Sequence, residues 1–576
     1  MRPVVLARMR RDVSVVLAGA AGQGIETVGG MLSTVLKDSG NNVFTTREFM
    51  SRIRGGTNTL QVRVSSHRVA AYCLRTDIAV PLDRTAIPHL AKYSRLQEST
   101  AIVGEAEAVP EEYQRRDRVH LVEFTQMARE LGSKVYSNTI AAGVILTLFN
   151  ADRDAGRAYL TERFAAKGPE VVQKNLEAYE RGVMVGKRLT SEGLIFQIDR
   201  EESVKEELIL SGTDAVSLGA IAGGCNFVSS YPMSPSTGVL TFLAQRSQEF
   251  GIVVDQAEDE IAAINKGIGA WYAGARAIVT TSGGGFALMN EGLSLAGMTE
   301  TPIVIHLAQR PGPATGLPTR TEQGDLKHFL NAGHGEFARA AFAPGTLHDA
   351  FHLTRRAFDL ADRYQVPVAI LTDQFLLDSS WNVPMIDLSD MSTEKHLVET
   401  DDAYRRYRLT HDGVSPRGVP GHGAGLVVVD SDEHDEDGHI TEDLRVRSEM
   451  VRKRLHRKME LLRRDSLPPE VSGAKKPDRL IIAWGSNYHV MREALEISGR
   501  TDTGLLHFRQ VYPLHESVAG MLGDADEVMI AENNATSQFA AVIHLETGVR
   551  VPDSNRLLKY DGMPFSVEEV VGFLNR

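Results

Sequence analysis

The chain has 576 residues, enough for about three or four domains with cores of their own. Hydrophobic residues make up 42% and charged residues 24%, and no apolar run reaches the roughly 18 residues of a membrane span; the formal charge of −12 and pI near 5.9 argue against a general nucleic-acid binder, which needs a basic face to displace counterions from phosphate. Cys73 and Cys225 are the only cysteines, so the chain holds neither a disulfide framework nor the four thiolates of an iron–sulfur cluster, and a reducing cytoplasm is the expected setting.

The start, MRPVVLARMRRDVSVVLAGA, has the basic head and short apolar run of a secretory signal. It continues directly into AGQGIETVGGMLSTVL, a glycine turn and an amphipathic helix, and so reads as strand, loop and helix of a folded domain. Through residue 190 the runs VSVVLAG (13–19), TDIAVPLD (76–83), TAIVGEA (100–106) and RVHLVEF (118–124) alternate with helical patterns, which predicts a parallel sheet with helical crossovers. Gly19, Gly22 and Gly24 stand in the order GxxGxG, where a dinucleotide fingerprint reads GxGxxG. A tight turn is the plainer reading, and a phosphate held by the following helix start is the other. Arg52 and Arg54, beside Gly55 and Gly56, suit an anion, a subunit contact or a solvated loop.

A charged stretch at 190–207 ends this unit. Residues 208–385 are α/β again, with strands RAIVTTS (276–282), PIVIHLAQ (302–309) and VPVAILTD (366–373). The chain then turns polar over 386–477. Its acidic run VVDSDEHDEDGHITED (428–443) lacks the EF-hand spacing, so a solvated connector leading into a basic helix is expected. Residues 478–576 read as a small α/β domain, with strands RLIIAWGS (479–486) and DEVMIAEN (526–533). The fold class is α/β, with several parallel-sheet domains.

The stretch DQAEDEIAAINKGIGAWYAG (255–274) gathers four carboxylates at a helix start, where capping is the ordinary explanation. At about 100° per residue they cannot share one task. Glu258 lies in line with Ala262, Asn265 and Lys266 and is expected to face solvent. Glu260 shares a face with Ala263, Ile264 and Gly267, so its carboxyl is drawn towards the core, where it should hold its proton to higher pH and become a candidate for function.

The pattern E-I-A-A-x(5)-G-A, followed by AIVTTS and GGG, resembles the pyrimidine-binding domain of thiamin diphosphate enzymes. The resemblance implies that Glu260 hydrogen-bonds N1′ of the aminopyrimidine. That favours the imino tautomer, which removes the thiazolium C2 proton and leaves the carbanion that attacks a 2-oxo acid. It also implies that Gly283 and Gly284 let the backbone approach the cofactor, where a simple strand-to-helix turn would serve as well.

Three further stretches are similar to the alpha subunit of 2-oxoacid:ferredoxin oxidoreductases: SGTDAVSLGAIAGGCNFVSSYPMSPST (211–237), GGGFALMNEGLSLAGMTETPIVIHLAQRPGPATGLPTRTEQGDL (283–326) and YRRYRLTHDGVSPRGVPG (404–421). Residues 1–190 resemble that family's gamma subunit, here fused ahead of it. Residues 478–576 resemble its transketolase C-terminal-like domain, and the acidic connector resembles the 2-oxoglutarate-type members. On this basis Arg310 matches the arginine that holds the substrate's 1-carboxylate, a task suited to a bidentate guanidinium. Ser234 stands where YPxTPS has its threonine, keeping the hydroxyl and losing a methyl.

No GDG motif occurs; HDG (411–413) and YDG (560–562) are poor substitutes as magnesium diphosphate holders. The resemblance therefore implies a beta subunit carrying Mg2+, the diphosphate site and a [4Fe-4S] cluster, in an α2β2 assembly with ferredoxin as acceptor and coenzyme A as co-substrate. Pyruvate or branched-chain 2-oxo acids are the alternative substrates, and a non-catalytic nucleotide-binding redox scaffold is the alternative of another class. Arg320, Lys327 and His328 lie in the loop where a distal carboxylate would be held.

Overall fold

Alternation with a period of two shapes the first sheet. In the strand Asp12–Ala20 (β1), Val13, Val15 and Leu17 enter one hydrophobic cluster and Val16 and Ala18 another, so both faces are covered and the strand reads as an unbroken apolar run. The structure, a computed structural model, describes residues 11–20, 24–49, 56–389 and 391–576. These form two units. One holds the described residues to Leu210 with 378–386 and 566–568; the other holds 211–377, 387–565 (Asp390 aside) and 569–576.

In the first unit β1 is joined by Asn42–Glu48 (β2), Thr57–Ser65 (β3), Ile78–Pro81 (β4), Ala101–Gly104 (β5), Val119–Leu121 (β6), Leu208–Ser211 (β7) and the strand Ser380–Val383. The order is β6-β5-β4-β1-β3-β2, then Ser380–Val383, then β7. β1, β4, β5 and β6 are parallel, as their pattern predicts. The expectation of a parallel sheet fails at β2 and β3, which pair antiparallel with each other, β3 pairing antiparallel with β1 as well. Length is the reason, since residues 49–56 are too few for the dozen or more that a crossover helix needs.

The second unit holds the sheet that matters for function. Phe227–Ser230 (β8), Val253–Gln256 (β9), Ala277–Thr281 (β10), Ile303–Gln309 (β11), Ala340–Phe342 (β12) and Pro367–Asp373 (β13) run parallel in the order β12-β13-β11-β10-β8-β9. Gln510–Tyr512 adds antiparallel to β12. The winding reverses between β8 and β10: from β8 the chain steps to β9 on one side, then to β10 on the other. Such a reversal opens a crevice beyond the carboxyl ends of the strands. A further sheet of Glu470–Gly473, Arg479–Trp484, Thr503–Phe508, Glu527–Glu532 and Arg556–Leu558 is parallel except for its first strand. No helix among the described residues is long and apolar enough to cross a membrane.

The stretch expected to be a solvated connector is packed at its charged residues. Its basic helix runs Leu444–Val451, a π turn Arg452–Arg457, then Lys458–Arg464. Residues five apart fall on one face of a π turn, where an α-helix would put them about 140° apart, so Lys453 and Lys458 point inward together. Both ammonium groups bind the carboxylate of Glu300, and all three side chains are almost wholly buried. Arg406 donates to the Glu300 carbonyl at 2.7 Å, and His434 of the acidic run is buried in a stack on Tyr407. The acidic run itself is used locally. Glu433 pairs with Arg454 and Arg447, and Asp435 accepts the backbone amides of Asp437 and His439.

The two lysines hold the Glu300 carboxyl well below the usual carboxylate range against the opposing effect of burial. Glu300→Gln should therefore destabilise the chain by about 3–5 kcal/mol, because two buried cations lose their counter-charge. Because the folded carboxyl titrates below the ordinary 4.5 and burial lowers the Lys453 pKa to about 8, the wild-type advantage should be full between pH 4.5 and about 8 and shrink on either side. Denaturant unfolding across pH checks this, and a loss under about 1 kcal/mol at neutral pH would contradict it.

Candidate active site

Four parallel strands bring the candidate residues to the carboxyl edge of one sheet. β8 ends at Ser230 and leads to Ser234; β9 ends at Gln256 and leads to Glu260; β10 ends at Thr281 and leads to Gly283 and Gly284; β11 ends at Gln309, next to Arg310. The β8 and β10 ends flank the winding reversal, where open α/β sheets place their ligands.

The helix Glu260–Tyr272 begins at Asp259, whose carboxylate accepts the amide of Ala262 at 2.8 Å, so capping is done by Asp259 and not by Glu260. Glu258 is exposed and pairs with Lys266 at 3.2 Å, and Lys266 also reaches Asp255. Glu260 is 3% exposed, above Ala263, Ile264 and Gly267, which are buried too. The helical period read from the sequence is the one the structure shows.

The Glu260 Oε1 atom is buried without a hydrogen-bond partner. It lies against Gly285, where even a methyl group would overlap both Oε1 and the Thr281 hydroxyl. Burial raises the carboxyl's pKa above the ordinary value, with the neighbouring charge of Asp259 adding to the effect. A buried, unmatched carboxyl oxygen is costly, and a hydrogen bond brought to it would offset that cost.

Arg310 is half-buried, and its Nη1 donates to the Ser234 carbonyl at 2.7 Å, joining residues 76 apart in sequence. Gly283 abuts the carboxylate of Asp325, which a side chain at 283 would displace, while Gly284 is exposed, and a methyl group there would only reach ordinary contact with the Ala314 carbonyl.

Gly285, Thr281 and Asp325 are site residues that sequence reasoning missed. Asp325 precedes the helix Leu326–Asn331 and reads as an ordinary N-cap, yet its side chain makes no capping hydrogen bond. Its amide donates instead to Gln309 Oε1 at 3.0 Å, and its Oδ2 is buried without a partner. Burial first, and the charge of Glu322 second, push its pKa up to about 7 against the opposing effect of Arg310. The loop that carries it is pinned by Gln323, which donates to the Trp484 carbonyl and accepts from Asn487 and the Asn533 amide.

Of the loop residues expected near a distal carboxylate, Arg320 donates to the Met563 sulfur, Lys327 is exposed and His328 meets the edge of Phe286. The HDG and YDG aspartates serve local turns: Asp412 accepts the Val414 amide, and Asp561 accepts the Met563 amide and pairs with Lys559. No group of three or more potential metal ligands occurs among the described residues. Arg52, Arg54, Gly22 and Gly55 lie outside the described residues.

Residues 218–453 match the family described as pyruvate flavodoxin/ferredoxin oxidoreductase, thiamine diP-bdg, and residues 14–185 match pyruvate ferredoxin/flavodoxin oxidoreductase. The chain is 30% identical to the 2-oxoacid:ferredoxin oxidoreductase subunit alpha of Sulfolobus sp, over 97% of this chain and 96% of that one. It is 26% identical to the 2-oxoglutarate oxidoreductase subunit KorA of Mycobacterium tuberculosis, over 98% and 91%. Among solved structures it is similar to the 2-oxoglutarate:ferredoxin oxidoreductase from Magnetococcus marinus with 2-oxoglutarate, coenzyme A and succinyl-CoA bound. That match has a TM-score of 0.91 and 30% identity, and covers 98% of this chain and 99% of that one.

Infrared difference titration of the wild type against Glu260→Gln should show a protonated carboxyl band that survives above pH 4.5 and is absent from the variant. A midpoint at or below 4.5 would contradict the burial argument.

Proposed function

Because the chain belongs to the alpha-subunit family of 2-oxoacid:ferredoxin oxidoreductases and is a subunit of such an enzyme, we propose that it acts on 2-oxoglutarate, oxidatively decarboxylating it to succinyl-CoA with ferredoxin as acceptor, or running the reverse carboxylation. This reading is supported by the buried Glu260 oxygen, which has no hydrogen-bond partner, together with the Arg310–Ser234 hydrogen bond at the carboxyl ends of strands that flank the winding reversal. The substrate choice is supported by the similarity to the Magnetococcus marinus enzyme and to KorA subunits.

The residues fit the pyrimidine half of thiamin diphosphate. A ring nitrogen is the kind of partner that Glu260 Oε1 lacks, and Gly285 leaves the carboxyl room that a side chain would take. The cofactor, when bound, supplies the carbon nucleophile and the electron sink for decarboxylation. Glu260 contributes a proton-sharing hydrogen bond at the ring nitrogen. Burial raises its pKa above the ordinary carboxylate value, which favours the sharing of a proton with a ring nitrogen. Arg310 binds the substrate's 1-carboxylate, with its guanidinium already fixed on the Ser234 carbonyl so that little freedom is lost on binding. The Ser234 hydroxyl donates to or accepts from the 2-oxo acid. Gly283 and Gly284 keep the approach to the crevice clear.

The remaining parts belong in a partner. The sequence has no GDG motif, and its two cysteines, both buried, are too few for a cluster. A beta subunit would carry the diphosphate site, Mg2+ and [4Fe-4S] cluster, closing the active site between chains in an α2β2 assembly.

Purified with that subunit, the chain should reduce a viologen dye when given 2-oxoglutarate and coenzyme A, and do so faster than with pyruvate; equal or better turnover of pyruvate would overturn the substrate assignment. Glu260→Gln should lower turnover at least about a hundredfold with assembly intact, and near-normal turnover would remove Glu260 from the chemistry. Arg310→Lys should raise KM roughly tenfold or more with a smaller effect on kcat, because a bidentate charged hydrogen bond is lost.

A further inference from the structure

The turn that follows β10 lies between two carboxyl groups. Gly283 and Gly285 sit two residues apart on the single helical turn Gly283–Phe286, so their Cα–H faces look in nearly opposite directions. Glu260 presses on one and Asp325 on the other. The proposed function gives Glu260 its role and leaves Asp325 without one.

Asp325 is placed with as much support. Its backbone is tied to Gln309, the last residue of β11 and the neighbour of Arg310. Two residues on, the Lys327 amide donates to Gln538 Oε1, and Gln538 Nε2 donates to the Gly324 carbonyl, so the segment is held on both sides of Asp325. The carboxyl forgoes the helix cap and leaves Oδ2 buried and unpartnered. The charged groups that face it are Arg310 from the end of β11 and Glu322 from its own loop. On its own helix Lys327 is exposed and His328 meets Phe286 edge-on, while the residues that hold its backbone, Gln309 and Gln538, are neutral.

Resting on the reading that Arg310 receives the substrate's carboxylate, we propose that Asp325 is a proton-coupled positioning residue: neutral, it lets the guanidinium take the anionic 2-oxo acid, and ionised, it repels that carboxylate from the same guanidinium. Substrate binding therefore carries a proton onto Asp325. Two carboxylates sharing one cation are unfavourable together, and the group that can take up a proton at ordinary pH is the buried one. Its pKa near 7 sets the range in which the exchange is felt. Ionisation of Asp325 as pH rises weakens binding, so KM climbs above pH 7 while kcat, measured with the site filled, does not follow it.

The test uses the assembled complex. KM for 2-oxoglutarate and the competitive inhibition constant of glutarate, a dicarboxylate with no 2-oxo group to react, are measured from pH 6 to about 8.5 in the wild type and in Asp325→Asn. In the wild type both constants should rise about tenfold per pH unit above 7, reaching roughly thirtyfold by pH 8.5. In Asp325→Asn both should stay flat across this range. If the variant does not assemble, calorimetry of glutarate binding to the wild type in two buffers of different ionisation enthalpy decides the matter: uptake of close to one proton at pH 8 supports the assignment, and none overturns it. Flat wild-type constants, or a variant that tracks the wild type, would also overturn it while leaving the enzymatic reading intact. Absence of 2-oxo acid-dependent dye reduction at every pH would instead sink the functional reading, and this proposal with it.

Discussion

The structure turns on one carboxyl group held where water cannot satisfy it. Glu260 is buried at the first residue of its helix, and its Oε1 has no partner. Left so, it costs stability, and its neighbours take over the duties it would otherwise have. Asp259 performs the cap, Glu258 and Asp255 share Lys266 at the surface, and Gly285 withholds the side chain that would push the carboxyl out of its seat. Each neighbour relieves Glu260 of an ordinary structural duty. Such a group is stabilised when a ligand brings the missing hydrogen bond, which couples the local energetics to cofactor binding.

The sheet supplies the rest of the geometry. Carboxyl ends of adjacent parallel strands lie close together, so loops far apart in sequence converge at the winding reversal without a dedicated scaffold. The Arg310–Ser234 hydrogen bond is the local sign of that convergence. The loop beyond Arg310 is fixed by the buried amide of Gln323, whose side chain both donates and accepts among Trp484, Asn487 and Asn533. A neutral amide serves there because all its partners are backbone or amide groups, and no charge has to be desolvated.

Much of this was legible in the sequence, and what was not has identifiable reasons. The split between Glu258 and Glu260 followed from 100° per residue and nothing else, and the central strands followed from their apolar, β-branched runs. The proximity of Arg310 and Ser234 follows from strand order, which no local pattern encodes; only the family resemblance supplied it. The β2–β3 hairpin was hidden because strand patterns do not state direction. Asp325 was hidden by a plausible alternative, since an aspartate ahead of LKHFL is what an N-cap looks like. The packed connector was missed for a subtler reason: five-residue spacing places Lys453 and Lys458 on different faces of an α-helix, and only the π turn at Arg452–Arg457 brings both to Glu300.

The central claim is that Glu260 serves the cofactor's pyrimidine ring as its acid–base partner. Exchange of the thiazolium C2 proton for deuterium in the thiamin diphosphate-loaded complex, followed by acid quench and proton NMR, tests it without substrate, coenzyme A or ferredoxin. Replacing Glu260 by Gln should slow that exchange by about a hundredfold or more, the scale of a lost general acid–base contribution. Exchange at the wild-type rate in the variant, with the cofactor still bound, would contradict the account.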